Sequence, residues 1–338
     1  MQIRENVALK DYSTMRLGGQ AKKFIEVHST DELAEAVSWA AQHSLPLLVL
    51  GGGSNVIFSH DYEGLVILNR IPGFEVIEQR DGIAVLKVGA GEEWDAVVEK
   101  SVAMGFTGIE ALSAIPGTAG ATPVQNVGAY GQEIADTFVE LSAYDLQTRS
   151  EVTLDKQACG FSYRSSIFKS PKDRRYIITS LTLRLRHANP EPPFYESLQH
   201  YLDEHHVTSF TPRAIREAVT AIRARKLPDP RLVANTGSFF KNPIIPNSQF
   251  NELRAAHTAM PHWNMPDGRV KLSAGWLIEH TGLKGYRNHG MKVYEANALV
   301  FINESAQNYQ DLAAFREEVI TKVQTAFGVT LEQEPELL

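Results

Sequence analysis

Three consecutive glycines, Gly51-Gly52-Gly53, followed by Ser54-Asn55, lie between two apolar runs of strand length, and this context constrains the fold most. Before them, residues 45–50 read LPLLVL; after them come VIF and then LVIL, beyond a turn expected at residues 61–64. Strand, glycine turn, strand is the wrong setting for a dinucleotide fold of the Rossmann type. That fold needs G-x-G-x-x-G spacing and a helix directly after the glycines. A glycine triplet can be a tight turn between strands and nothing more. It can also bring bare backbone N–H groups close to a phosphate, with Ser54 and Asn55 as added donors.

A second segment weighs on that choice. Residues 113–131 are mostly small, show no periodicity, and include Pro116, Gly117, Ala121, Val124, Gln125, Asn126 and Gly128. Loops this long inside a compact domain are usually functional. Two such backbone-rich surfaces favour a large flat cofactor with a pyrophosphate over two unrelated turns.

The rest of the chain reads as alternating helix and strand. Residues 24–27 are strand-like, and Ser29 with Glu32 forms a capping box ahead of Leu33, Ala36, Val37 and Ala40 at helical spacing. A helix is expected at 92–104, with Trp94, Val97, Val98 and Val102 facing inward. Strands follow at 139–145, 151–154 and 176–185, the last of them alternating. Prolines 190, 192 and 193 mark a change of character. Helices are then expected at 195–205, 212–225, 274–280 and 309–327, and a strand at 298–302.

Composition excludes several classes. The 338 residues suggest about two domains. With 43% hydrophobic and 22% charged residues, the chain can bury real cores. A net charge of -7 leaves no overall basic surface for nucleic acid or anionic lipid. The single cysteine, Cys159, excludes an internal disulfide framework and is read as a small buried hydrophobe. Without H-E-x-x-H or clustered thiols, no metal site is expected. The first residues lack an apolar signal segment, and no run approaches the ~18 apolar residues that span a bilayer. A soluble, monomeric cytoplasmic protein is the expectation.

Other candidate residues are ambiguous alone. Arg164 lies among Phe161, Tyr163 and Phe168 and could fork onto a carboxylate, or simply pack its stem on Tyr163. Ser238, between Gly237 and Phe239, is no G-x-S-x-G nucleophile. As a proton donor it would need a strongly basic partner such as a carbanion. Arg213, Arg216, Arg223, Arg225 and Lys226 form a local basic cluster, readable as a solvated helix face or a phosphate site.

Together these blocks resemble the UDP-N-acetylenolpyruvoylglucosamine reductase (MurB) family over nearly the whole chain. The match is carried by Ser13-Thr14-Met15-Arg16-Leu17-Gly18-Gly19, the 51–55 turn, Ile115-Pro116-Gly117, and Gln125-Asn126-Val127-Gly128-Ala129-Tyr130-Gly131. It continues through Tyr163-Arg164-Ser165-Ser166-Ile167-Phe168-Lys169, Lys226-Leu227-Pro228-Asp229-Pro230, Gly237-Ser238-Phe239-Phe240-Lys241-Asn242-Pro243 and Ala274-Gly275-Trp276-Leu277-Ile278-Glu279.

The resemblance implies an α+β protein with a discontinuous, two-part FAD-binding domain of the vanillyl-alcohol-oxidase (PCMH) type and a separate α+β substrate-binding domain. Its implied boundaries are 1–70 and 71–210 for the two FAD subdomains, 211–325 for the substrate domain, and 326–338 for a tail returning to the active site. It further implies non-covalent FAD on Gly51, Gly52, Gly53, Ser54, Asn55, Pro116, Gly117, Ala121, Val124, Asn126 and Gly128. NADPH would reduce the flavin, and the enolpyruvyl group of UDP-N-acetylglucosamine enolpyruvate would then be reduced to UDP-N-acetylmuramate for peptidoglycan synthesis. Arg164 would stabilise charge on the substrate carboxylate, Ser238 would protonate the α-carbon, and Glu334 would polarise the carboxylate. Tyr195, in the insertion of the longer family subtype, would bind the nucleotide sugar with Lys226, Asn242 and Asn297.

One departure concerns the tail: the family usually continues past this glutamate with an apolar strand, whereas here Pro335-Glu336-Leu337-Leu338 follows. Two other readings stand beside the reductase. One is a different FAD-dependent oxidoreductase of the same fold, against which Ser238, Lys226 and Asn242 speak, since alcohol oxidation needs a base. The other is a catalytically impaired nucleotide-sugar-binding protein.

Overall fold

The computed structural model describes residues 2–169 and 174–338. They divide into two compact units that do not follow chain order. The first comprises the residues up to Val7, Ala21–Gly52 and Tyr62–Ala224; the second comprises Ala8–Gln20, Gly53–Asp61 and Arg225–Leu338. The division passes through the glycine turn itself, between Gly52 and Gly53.

In the first unit, a four-stranded sheet has the order Arg4–Ala8, Gln20–Val27, Tyr62–Asn69, Leu47–Leu50. The last three strands run parallel. The helix Thr30–Gln42 provides the crossover, and its start follows from Ser29, whose hydroxyl accepts from Glu32 N at 3.1 Å. Glu32 reaches back one residue further than a capping box requires, accepting from His28 N at 2.6 Å. Its apolar stripe, Leu33, Ala36, Val37 and Ala40, is buried against Ile25, Val27, Leu65 and Ile67.

The turn expected at 61–64 is instead mostly strand, since Tyr62–Asn69 is continuous. Gly64 makes this possible: a Cβ there would stand 2.2 Å from Pro46 O, and Leu65 N donates to that same oxygen at 2.9 Å. A glycine inside a strand often marks such a close backbone approach.

A five-stranded antiparallel sheet follows, in the order Ser150–Asp155, Phe138–Asp145, Tyr176–Arg186, Ile83–Gly89, Phe74–Arg80. Its middle strand is buried on both faces through most of its length. Ile178, Leu181 and Leu183 enter one core cluster while Ile177 enters another, so alternation survives only at Arg184, Leu185 and Arg186. The helix Trp94–Ala103 packs on this sheet through Trp94, Val97, Val98 and Val102, all buried. The helices Glu196–Glu204 and Pro212–Lys226 pack on each other through Leu198, Leu202, Ile215, Val219 and Ile222, joined by Ala111. The compact first unit includes most of these two helices, as far as Ala224.

The second unit holds a four-stranded sheet in the order Asn235–Ser238, Val300–Asn303, Met291–Val293, Arg287–Asn288. A three-stranded sheet, Ile244–Ile245, Val270–Leu272, His262–Asn264, accompanies it. The helix Tyr309–Phe327 runs from an Asn308 cap to Gly328, where φ is +64°. It buries Leu312, Phe315, Val319 and Val323 against Phe239, Phe240 and Phe301. Among the described residues, no helix is long and apolar enough to cross a membrane.

Candidate functional site

In the first unit, the glycine turn meets the small-residue loop backbone to backbone. A Cβ on Gly52 would lie 2.7 Å from Gly117 Cα, and one on Gly51 would lie 2.4 Å from Thr118 Oγ1. No side chain fits between the two segments, so the surface they make together is largely main chain. That is the kind of surface on which a flat ligand bearing phosphates can be held by N–H groups.

The loop does a second thing: it carries the Arg164 hairpin. Ser162 and Ser165 exchange backbone hydrogen bonds of 3.0 and 3.1 Å, leaving Tyr163 and Arg164 at the corner. Arg164 has φ +53°, a region non-glycine residues seldom occupy. Its guanidinium lies 5.6 Å from the Tyr163 ring centroid, and Nη2 donates to Gly128 O at 2.8 Å. The guanidinium itself therefore lies beside the aromatic ring and bonds a backbone carbonyl. Ser166 Oγ donates to Val124 O at 2.7 Å, and Asn126 Nδ2 donates to Ser162 O at 3.4 Å. Asn126 is 1% exposed, and its Oδ1 accepts from Ala135 N at 3.1 Å. Its amide is thus engaged inside the protein.

Nearby in the same unit, Tyr195 stands at the start of the helix Glu196–Glu204, its ring edge-on to Tyr130 with centroids 6.1 Å apart. Partial burial raises both phenols above their ordinary value. The basic cluster resolves into distinct jobs. Arg216 makes a forked pair with Asp95, at 2.6 and 3.1 Å, and Asp95 also accepts from Ala114 N at 2.6 Å. Burial raises the Asp95 carboxyl, but Arg216 and the Ala114 N–H outweigh it and hold the group low. Arg223 Nε donates to Ala114 O at 3.2 Å, and burial draws its guanidinium down from the usual value. Lys226 is exposed at the end of its helix.

In the second unit, Ser238 and Glu334 lie on adjacent extended segments. Ser238 pairs with Val300, Phe239 N donates to Leu299 O at 2.7 Å, and Glu334 N donates to Phe239 O at 2.9 Å. The tail beyond Glu334 is well anchored. Glu336–Leu337 pairs in parallel with Val56–Ile57, Glu336 N donates to Asn55 O at 2.9 Å, and Leu338 N donates to Ile57 O at 2.8 Å. Ser59 closes the end by donating from N and Oγ to Leu338 O, at 2.8 and 2.9 Å. One short segment therefore links the Ser238 strand to the Asn55 end of the glycine turn. Gly53 is held beneath it: Thr14 N donates to its carbonyl at 3.0 Å, and at φ +63° a Cβ would stand 1.9 Å from Tyr12 O.

Asn242 Oδ1 accepts from Ala274 N at 3.0 Å, at the start of the helix Ala274–His280. Asn297 Oδ1 lies 3.9 Å from where a Gly275 Cβ would be, and accepts from Leu299 N at 3.1 Å. Both asparagines thus gather at one helix start. Thr236, two residues before Ser238, has a buried hydroxyl with no hydrogen-bond partner. Neither that threonine nor the structural use of Asn126 had a signal in the sequence, because both depend on long-range packing. Among the described residues, no group of three metal-binding side chains occurs.

The C-terminal domain of UDP-N-acetylenolpyruvoylglucosamine reductase matches residues 229–338, and an FAD binding domain matches 21–149. The reductase of that name from Pseudomonas syringae is 38% identical over 337 residues, covering 100% of this chain and 99% of its own. The one from Cupriavidus pinatubonensis is 41% identical over 336 residues, covering 99% of each. Among solved structures, the Thermus caldophilus reductase aligns with a TM-score of 0.69 at 24% identity, over 100% of this chain and 99% of its own. A 6-hydroxy-D-nicotine oxidase from Arthrobacter nicotinovorans aligns at 0.54 and 12% identity, over 97% and 86%. The fold is thus α+β, with an FAD-binding domain and a second α+β domain, and the oxidase shares that fold.

Proposed function

The chain belongs to the UDP-N-acetylenolpyruvoylglucosamine reductase family, FAD-dependent oxidoreductases, and from that premise we propose that it reduces UDP-N-acetylglucosamine enolpyruvate to UDP-N-acetylmuramate. The electron donor in this reading is NADPH, and the product serves peptidoglycan synthesis in the cytoplasm. The observation that carries it is the full-length match to enzymes of that name, with both halves covered.

Bound FAD would supply the redox chemistry, the relay of hydride from NADPH to the enolpyruvyl methylene carbon. The chain does the rest. Gly51, Gly52, Gly53, Ser54, Asn55, Pro116, Gly117, Ala121, Val124 and Gly128 would offer main chain to the cofactor. The close approach at Gly52 and Gly117 supports this use. Asn126, with its amide already engaged, would serve as frame for that surface. Tyr195, Lys226, Asn242 and Asn297 would hold the nucleotide sugar.

Arg164 presents a planar cation suited to a carboxylate on which charge builds. Ser238 would give its hydroxyl proton to the α-carbon, an acceptor basic enough to draw it from so weak an acid. Glu334, on the segment beside Ser238, would share a proton with the substrate carboxylate. The test is Ser238→Ala, followed one half-reaction at a time. Flavin reduction by NADPH should keep its rate, while reoxidation by the enolpyruvyl substrate should slow by roughly 10²–10⁴, the usual worth of a positioned proton donor. Equal loss in both halves would contradict the role.

A further inference from the structure

The Arg164 hairpin is strained and needs holding. Its corner residue is an arginine at φ +53°, a conformation that persists only where surrounding structure imposes it. Three side-chain bonds tie the hairpin to residues 124–128. The guanidinium makes one itself, to Gly128 O at 2.8 Å. Asn126 makes a long one, to Ser162 O at 3.4 Å.

The third belongs to Ser166, which the reading above leaves without a role. Its hydroxyl donates to Val124 O at 2.7 Å and accepts from Phe168 N at 3.2 Å. Both functions of that hydroxyl are therefore used, and the residue is 8% exposed, so water competes poorly for either bond. It sits two residues beyond Arg164 and closes the hairpin onto the same loop whose Gly128 carbonyl receives the guanidinium. Without it, the guanidinium bond would have to hold the hairpin in place rather than be aimed by it.

We propose that Ser166 is the positioning residue of Arg164: it holds the strained hairpin against Val124, so that the guanidinium faces its partner without rearrangement. This rests on the reading of Arg164 as the group that meets the substrate carboxylate. Catalytic groups placed about 1 Å out of position lose large factors in rate, which gives a supporting hydroxyl kinetic weight.

The test compares Ser166→Ala, Ser166→Thr and Arg164→Lys in the FAD-loaded enzyme, with each half-reaction followed anaerobically. Ser166→Ala should slow reoxidation by substrate about tenfold and leave reduction by NADPH within about twofold. Ser166→Thr, which keeps the hydroxyl, should recover most of that loss. Added to Arg164→Lys, Ser166→Ala should slow reoxidation no further, because one serine acting through one arginine cannot be lost twice. Should the alanine variant not fold, Ser166→Cys keeps the volume, donates weakly, and carries the same expectation. Full additivity with Arg164→Lys, or equal slowing of both half-reactions, overturns the inference alone. An Arg164→Lys enzyme with unchanged reoxidation overturns the role of Arg164, and this inference with it.

Discussion

Gly52→Ala tests the backbone cradle at its tightest point. The new Cβ would stand 2.7 Å from Gly117 Cα and 3.2 Å from Gly117 C, both main-chain atoms with no side-chain freedom to yield. Carbon atoms prefer separations of roughly 3.5–4.0 Å, so one segment must move by about 1 Å. Forced overpacking of this kind costs about 1–3 kcal/mol. The flavin-free protein can relieve part of it by parting the two segments, whereas a ligand touching both cannot allow that. The cost should therefore appear mainly as weaker FAD binding, by about 10- to 100-fold, since each 1.4 kcal/mol is tenfold. The assay is titration of FAD into flavin-free protein, followed by flavin fluorescence. Gly82→Ala is the control: its Cβ would meet nothing within 4 Å, although φ is +74°. That variant should lose about 1–2 kcal/mol of stability to backbone strain and bind FAD as the parent does. A Gly52→Ala protein with unaltered FAD affinity and unfolding midpoint would refute the idea that the two segments form one surface.

Other expectations concern the tail, a buried carboxylate and the cysteine. Deleting residues 335–338 removes the bonds to Asn55, Ile57 and Ser59 and should free Glu334. Reoxidation by substrate should fall about tenfold or more with NADPH reduction retained, read by anaerobic stopped flow. Asp145 accepts from Arg175 at 2.8 and 2.6 Å, which holds its carboxyl well below the usual range. Because the folded-state value is depressed, the pair's stability is present above the unfolded carboxylate value of about 3.9 and is lost as pH falls further. Asp145→Asn should lower the unfolding midpoint at pH 7 and narrow the gap to the parent below pH 4, by thermal melts across that range. Burial first, and then Asp155, push the Cys159 thiol up to about 12. A thiol reagent at pH 8 should therefore leave the native protein unlabelled and react once it is denatured.

Much of this architecture was legible where one segment carried its own instructions. The helix Tyr309–Phe327 has its cap residue, apolar stripe and terminal glycine in a single stretch, and its expected bounds match. The helix beginning at Trp94 buries the four residues its spacing picked out. Gly64 misled because a glycine reads locally as a turn, while its purpose is room for Pro46 across the sheet. Ser29 and Glu32 were recognisable as a cap, yet which N–H each would serve depends on the chain's approach from His28. The motifs containing Arg164, Ser238 and Asn126 stood out as residues, but their partners did not. Gly128 O, the Val124–Ser166 bond and the pairing of Glu334 with Phe239 join segments far apart in the chain, and no local pattern encodes them. The tail is the plainest case. What secures Pro335-Glu336-Leu337-Leu338 is a strand at Val56–Ile57 and a serine at 59, both far back in the chain.

The central claim is that electrons pass from NADPH through FAD to an enolpyruvyl nucleotide sugar, and one anaerobic absorbance experiment addresses it directly. NADPH is added to the FAD-loaded protein, and the enolpyruvyl nucleotide sugar follows. The account predicts that the flavin bands bleach with NADPH and return only when UDP-N-acetylglucosamine enolpyruvate is supplied. Bands that bleach but return only on admission of air would leave the flavin site standing and contradict the substrate.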